Sequence, residues 1–140
     1  MQRISVDFID ANLSPDAFHR WATHYQKCKK DFQCSDRFSP VPYFLLCRAI
    51  ELEIKARHLK CKKQVQVKKE FGHDLVKAYN ALDPTERILN QSEEHTLRVA
   101  SDIYNNKDFE YFDPQDALTG YSRFPDLTLL DSIASKLIGI

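Results

Sequence analysis

Between Tyr43 and Cys61 the apolar positions fall into two helical sets. One is Tyr43, Cys47, Ile50, Ile54 and Cys61; the other is Leu45, Ala49, Leu52, Ala56 and Leu59. At about 100° per residue these sets flank a third row, Arg48, Glu51, Lys55 and His58. Glu53, Arg57 and Lys60 fall opposite and read as the solvated face. The charged row therefore runs down the middle of the helix's apolar arc, where desolvating a charge is costly unless it is paired. Glu51 and Lys55 stand in the favourable i,i+4 order, and Arg48 and Glu51 are i,i+3 neighbours. The row reads either as a self-satisfied ion-pair ladder or as a functional groove.

The remaining pattern is also helical. Ser14-Pro15-Asp16 joins a serine cap, a first-position proline and an acid in the first turn. This predicts a helix to about Cys28 or Lys30 with Phe18, Trp21, Ala22, Tyr25 and Cys28 on one face. A polar connection from Asp31 to Ser39 leads to Ser39-Pro40-Val41-Pro42, which opens the central helix. Lys62 to Phe71 reads as a basic connection, and Val65-Gln66-Val67 is too short to assign as a strand. After Gly72, a short helix over His73 to Leu82 turns Leu75, Ala78, Tyr79 and Leu82 inward. Asp83-Pro84-Thr85-Glu86 restarts a helix that runs to about Tyr104 and buries Ile88, Leu89, Thr96, Val99, Ala100 and Ile103. Asn105 to Pro125 is irregular, with Phe109, Tyr111, Phe112, Tyr121 and Phe124 packing over the core. Asp126 opens a last helix carrying Leu127, Leu130, Ala134, Leu137 and Ile138. The expected architecture is one all-α domain over residues 1–140, a bundle of about five helices.

Composition adds limits. The chain has 140 residues, and its 20 basic and 20 acidic side chains cancel. No global field attracts nucleic acid, which leaves room for a local basic patch at Lys60, Lys62, Lys63, Lys68 and Lys69, or at Lys27, Lys29 and Lys30. No apolar run approaches the roughly 20 residues that span a bilayer, and Met1 to Asp7 lacks the apolar region of a signal peptide. The expectation is a cytoplasmic protein with no membrane partner. Cys28, Cys34, Cys47 and Cys61 form no Cys-x-x-Cys pair and read as buried free thiols. His24 and Cys28 have a two-ligand helical spacing, but with Cys34 as the one further candidate no metal site is expected, and no cofactor. No Cys-His arrangement for nucleophilic catalysis follows from the spacing.

Three blocks in order then carry a resemblance. Ala49-Ile50-Glu51-Leu52-Glu53-Ile54-Lys55 lies in a helix, Gly72-His73-Asp74-Leu75 opens the next, and Gly120-Tyr121-Ser122-Arg123-Phe124-Pro125 precedes the last. Over residues 42–137 the chain resembles the HEPN (higher eukaryotes and prokaryotes nucleotide-binding) family. The resemblance implies a helical bundle, a homodimer, and a groove at or near the dimer interface. It implies a nucleotide or RNA ligand, or an antitoxin or nucleotidyltransferase-like partner. The charged row Arg48, Glu51, Lys55 and His58, joined by His73, Tyr121 and Arg123 from the resembling blocks, is the expected ligand-binding set. Many relatives are ribonucleases marked by an arginine followed, after four to six residues, by a histidine. Here Arg20 and His24 have three residues between them, Arg48 and His58 nine, and Arg87 and His95 seven. Lys68 and His73 have four, but lysine lacks the bidentate fork that suits phosphate.

That departure favours a nucleotide- or RNA-binding or interaction module over an enzyme. A divergent metal-independent ribonuclease built on Glu51, Lys55, His73 and Asp74, with Arg123, is the alternative. A purely structural network in an antitoxin-like or accessory subunit is a third reading. The positive end of a helix disfavours imidazolium at His73, and a neutral ring there can act as a general base on a ribose hydroxyl. Equally, His73 can hydrogen-bond across the bundle to Glu51 while Asp74 caps a helix or pairs with Lys55 or Arg123.

Overall fold

The computed structural model describes residues 3–6, 9–12 and 14–139, with side chains over 14–139. Met1, Gln2 and Asp7, part of the segment read above for a signal peptide, lie outside the described residues. Its centre is α2, Val41–His58, in which eleven of eighteen residues are buried. So complete a burial needs cover on every side. α1 (Ser14–Asp31) supplies one wall, α7 (Leu127–Ile138) a second, and α4 (Leu75–Asn80) with α5 (Gln91–Asn105) the rest. α1 and α2 run antiparallel: His19 meets Glu53 near one end, and Arg48 lies over the Tyr25 ring further along. The core joins Leu46, Ile50 and Ile54 of α2 to Leu97, Leu130, Ile133 and Leu137. The protein is an all-α bundle, as its pattern predicts. A small antiparallel hairpin, β1 (Arg3–Val6) with β2 (Ile9–Asn12), precedes the helices and was not foreseen.

Among the described residues there are seven α-helices rather than about five. The basic connection is itself a helix, α3 (Gln64–Phe71), because Val67 and Phe71 are four apart and both buried. Val65-Gln66-Val67 is thus helical. The restart at Asp83 yields only a 3-10 turn, Pro84–Glu86, which Asp83 caps. Glu86 does not reach back to it; its carboxylate accepts from Arg57 at 3.3 Å. α5 begins later with its own reciprocal cap, in which Asn90 accepts from the Glu93 amide and Glu93 from the Asn90 amide. The irregular stretch contains α6, Pro114–Leu118.

Several side chains sit differently from the pattern. Glu53 and Arg57 are not solvated: Glu53 is buried between His19 and Arg57, and Arg57 donates to the Leu137 carbonyl at 2.6 Å. Periodicity assigned them outward because it assumes one polar face, whereas α2 is covered all round. α1 is rotated so that Ala22 makes the close contact, leaving Trp21 57% exposed and Cys28 exposed. Ile88, Tyr111 and Phe112 are also exposed. Of the four cysteines, all free, only Cys47 is buried; its burial, with Glu51 nearby, pushes the thiol up.

The cap on α5 gives a test. Asn90→Ala is expected to lower stability by about 1 kcal/mol and Asn90→Gly by only a few tenths, read from denaturant midpoints. Equal losses would mean that the side-chain cap does not hold the helix start.

Candidate functional site

Glu51 is 3% exposed, and its two oxygens are filled from four directions. Lys55 Nζ donates to Oε2 at 2.6 Å and His73 Nδ1 lies 3.0 Å from the same oxygen. The Tyr104 hydroxyl donates to Oε1, and Arg48 Nη1 approaches that oxygen at 3.4 Å. A carboxylate has about four lone-pair sites, so the acceptor capacity is spent. Burial pushes the Glu51 carboxyl up, but Lys55, Tyr104 and His73 together hold it below the usual carboxylate range. Burial, and then Glu51 itself, pushes the Tyr104 phenol up, which keeps the phenol a donor. The Arg48 guanidinium is opposed by burial and raised on balance by Glu51.

Three segments meet at this carboxylate. α2 supplies Arg48, Glu51 and Lys55, α5 supplies Tyr104, and the turn between α3 and α4 supplies His73. Gly72 makes that turn possible with φ +53°, a conformation strained for any side chain. Asp74 then caps α4 by accepting from the Lys77 amide at 3.0 Å. Because a carboxylate only accepts, His73 presents Nδ1–H to Glu51. No described residue engages its Nε2, and the side chain is 52% exposed.

Two cavities open on either side of this cluster, and Arg48 and His73 line both. The larger, about 530 Å³, has Phe18 and Trp21 of α1 on one wall. Arg48, Glu51 and Lys55 form its floor, with Lys68 of α3 at its side. Its lining carries three permanent cations against one carboxylate, an excess that suits an anion. Lys68 is exposed and has no ion-pair partner among the described residues. The smaller cavity, about 310 Å³, lies between Tyr25, Phe44, Tyr104, Lys107 and Glu110.

The structure thus brings together Arg48, Glu51, Lys55 and His73 of the residues singled out in the sequence. It separates the others. His58 is buried with Nε2 2.8 Å from the Ala78 carbonyl and its ring against Phe71. Asp74 is a cap and pairs with neither Lys55 nor Arg123. Tyr121 stacks on Phe38 at 3.7 Å between ring centres, and Arg123 pairs with Asp116 and Asp108. Neither lines either of these two cavities, because that segment is held by its own aromatic and ionic contacts. Trp21, Tyr104 and Lys107 are among the lining residues that the pattern missed as site residues. Tyr104 was legible, being four residues after the inward Ala100 on α5.

No family model, curated protein or solved structure matches this chain. Among the described residues no group of three or more His, Cys, Asp and Glu side chains could hold a metal ion, and no helix is long and apolar enough to cross a membrane.

Lys55→Ala removes the closest cation from Glu51, at 2.6 Å, and is expected to cost about 1–3 kcal/mol at neutral pH. A carboxyl whose folded pKa is depressed contributes stability that is whole above its ordinary value of 4.5 and is lost as pH falls through the folded value. The gap between wild type and variant should therefore narrow below pH 4.5. Chemical denaturation at several pH values checks this; a gap that is absent, or independent of pH, contradicts it.

Proposed function

We propose that this chain is a HEPN-like nucleotide- or RNA-binding module and that the larger cavity is its ligand site. The observation that carries the reading is the pairing, in one cavity of about 530 Å³, of an exposed Trp21 with Arg48, Lys55 and Lys68. The volume falls within the range of small-ligand pockets. A base can stack on an indole at a gain of about 1–3 kcal/mol, and a phosphate takes the cations opposite. The three sequence blocks add the family reading, since two of them supply Glu51, Lys55 and His73 at this site. Four free cysteines, three of them exposed, suit a reducing cytoplasm.

The reading extends to a homodimer. The second apolar set of α2 gives it no support, since Ala49, Leu52, Ala56 and Leu59 are buried within the chain. Exposed Tyr111, Phe112 and Leu118 are among the apolar side chains available to a second copy or to an antitoxin-like partner. A ribonuclease is the second reading. What favours it is the Glu51–His73 pair, which leaves Nε2 disposed to take a proton from a ribose hydroxyl.

Trp21 is the single tryptophan of the chain, so its fluorescence reports the cavity directly. Titration with adenosine 5′-monophosphate is expected to quench it saturably, and Lys68→Ala to weaken the binding. No change in emission up to millimolar nucleotide contradicts the reading. Incubation with labelled total RNA in EDTA separates the two functions: cleavage lost in His73→Ala establishes the ribonuclease, and binding without cleavage the module.

A further inference from the structure

The smaller cavity is not absorbed by a mononucleotide in the larger one. It shares Arg48 and His73 with its neighbour, so the two form one groove pinched at those side chains. Its far side carries Lys107, whose backbone is unusual. α5 ends in a Schellman arrangement: the Asp108 amide donates to the Ile103 carbonyl and the Lys107 amide to the Tyr104 carbonyl, each at 3.0 Å. The residue at the turn of such an ending is left-handed and is most often glycine. Here it is Lys107, at φ +62°. A cation benefits from the negative end of a helix, but Asn105 and Asn106, both right-handed, offer that benefit without strain. What position 107 adds is that its side chain lines the cavity, and strain of this kind gathers at functional sites. Lys107 has no ion-pair partner among the described residues.

We propose that the smaller cavity is a second nucleotide subsite, so that the ligand is a single strand of at least two nucleotides whose connecting phosphate crosses at Arg48 and is met by Lys107. This rests on the nucleotide-binding reading above and names its ligand class. Tyr25 and Phe44, both half-buried, give the second base an aromatic surface, and Glu110 is an acceptor for a ribose hydroxyl at the rim. Arg48 keeps donors for the phosphate, because a guanidinium carries five N–H groups and Nη1 is the one placed on Glu51.

The test compares adenosine 5′-monophosphate with the 5′-phosphorylated dinucleotide pApA by Trp21 fluorescence. In the wild type the dinucleotide is expected to bind roughly tenfold tighter, the gain that one more held nucleotide gives. Lys107→Gly relieves the backbone and should melt higher than wild type, so unfolding cannot explain a loss. Lys107→Asn removes the charge while tolerating the left-handed turn. In both variants the preference for the dinucleotide should collapse, and the salt dependence of dinucleotide binding should fall by about 0.7 in logarithmic slope. If the wild type binds both probes equally, or if the preference survives in both variants, the second subsite is overturned and the first stands. If neither probe binds, both readings fall.

Discussion

One buried carboxylate organises this protein. Glu51 lies on a helix surrounded on every side, where an unpaired charge would be untenable, and it is satisfied only because Lys55, Tyr104, His73 and Arg48 converge on it. Each of those donors comes at a structural cost. Tyr104 must sit at the inward face near the end of α5, and His73 must follow a left-handed glycine. Replacing such a network by apolar side chains is often neutral for stability, so its presence is better explained by what it positions than by what it stabilises.

What it positions is a pair of side chains with two faces. Arg48 and His73 each spend one face on Glu51 and turn the other to solvent, between two cavities. The carboxylate sets the ring orientation of His73 and neutralises only part of the surrounding charge. The lining of the larger cavity is left cationic although the whole chain is neutral. A local field of this kind is invisible in a net charge, which is why a zero balance carries little weight against an anionic ligand. The site is preorganised in the useful sense: its groups are held by contacts that do not depend on ligand.

The charged row of α2 was legible because helical spacing places Arg48, Glu51 and Lys55 inside an apolar arc whatever surrounds them. Their convergence with His73 was legible only as one of two options, since an acceptor across the bundle cannot be located by spacing. Glu53 and Arg57 were misread for the opposite reason: periodicity finds one apolar face, and α2 has none that is free. The break before α5 lies at Arg87 and Asn90, whose backbones are not helical, and the restart signal at Asp83 masked it. Trp21 was placed on one face with Phe18, Ala22, Tyr25 and Cys28 by helical spacing, yet Ala22 makes the close approach of α1 and leaves the indole at the mouth of a cavity.

Glu51 holds His73 by Nδ1 and leaves Nε2 without a partner among the described residues, on a ring that lines both cavities. Nitrogen-15 spectra of the histidine rings, assigned with His73→Gln and recorded with and without adenosine 5′-monophosphate, test it most directly. The expected result is a protonated Nδ1 at His73 in the free protein and an Nε2 resonance that moves on adding nucleotide while that of buried His58 does not. A bare Nδ1, or an Nε2 resonance indifferent to nucleotide, would contradict it.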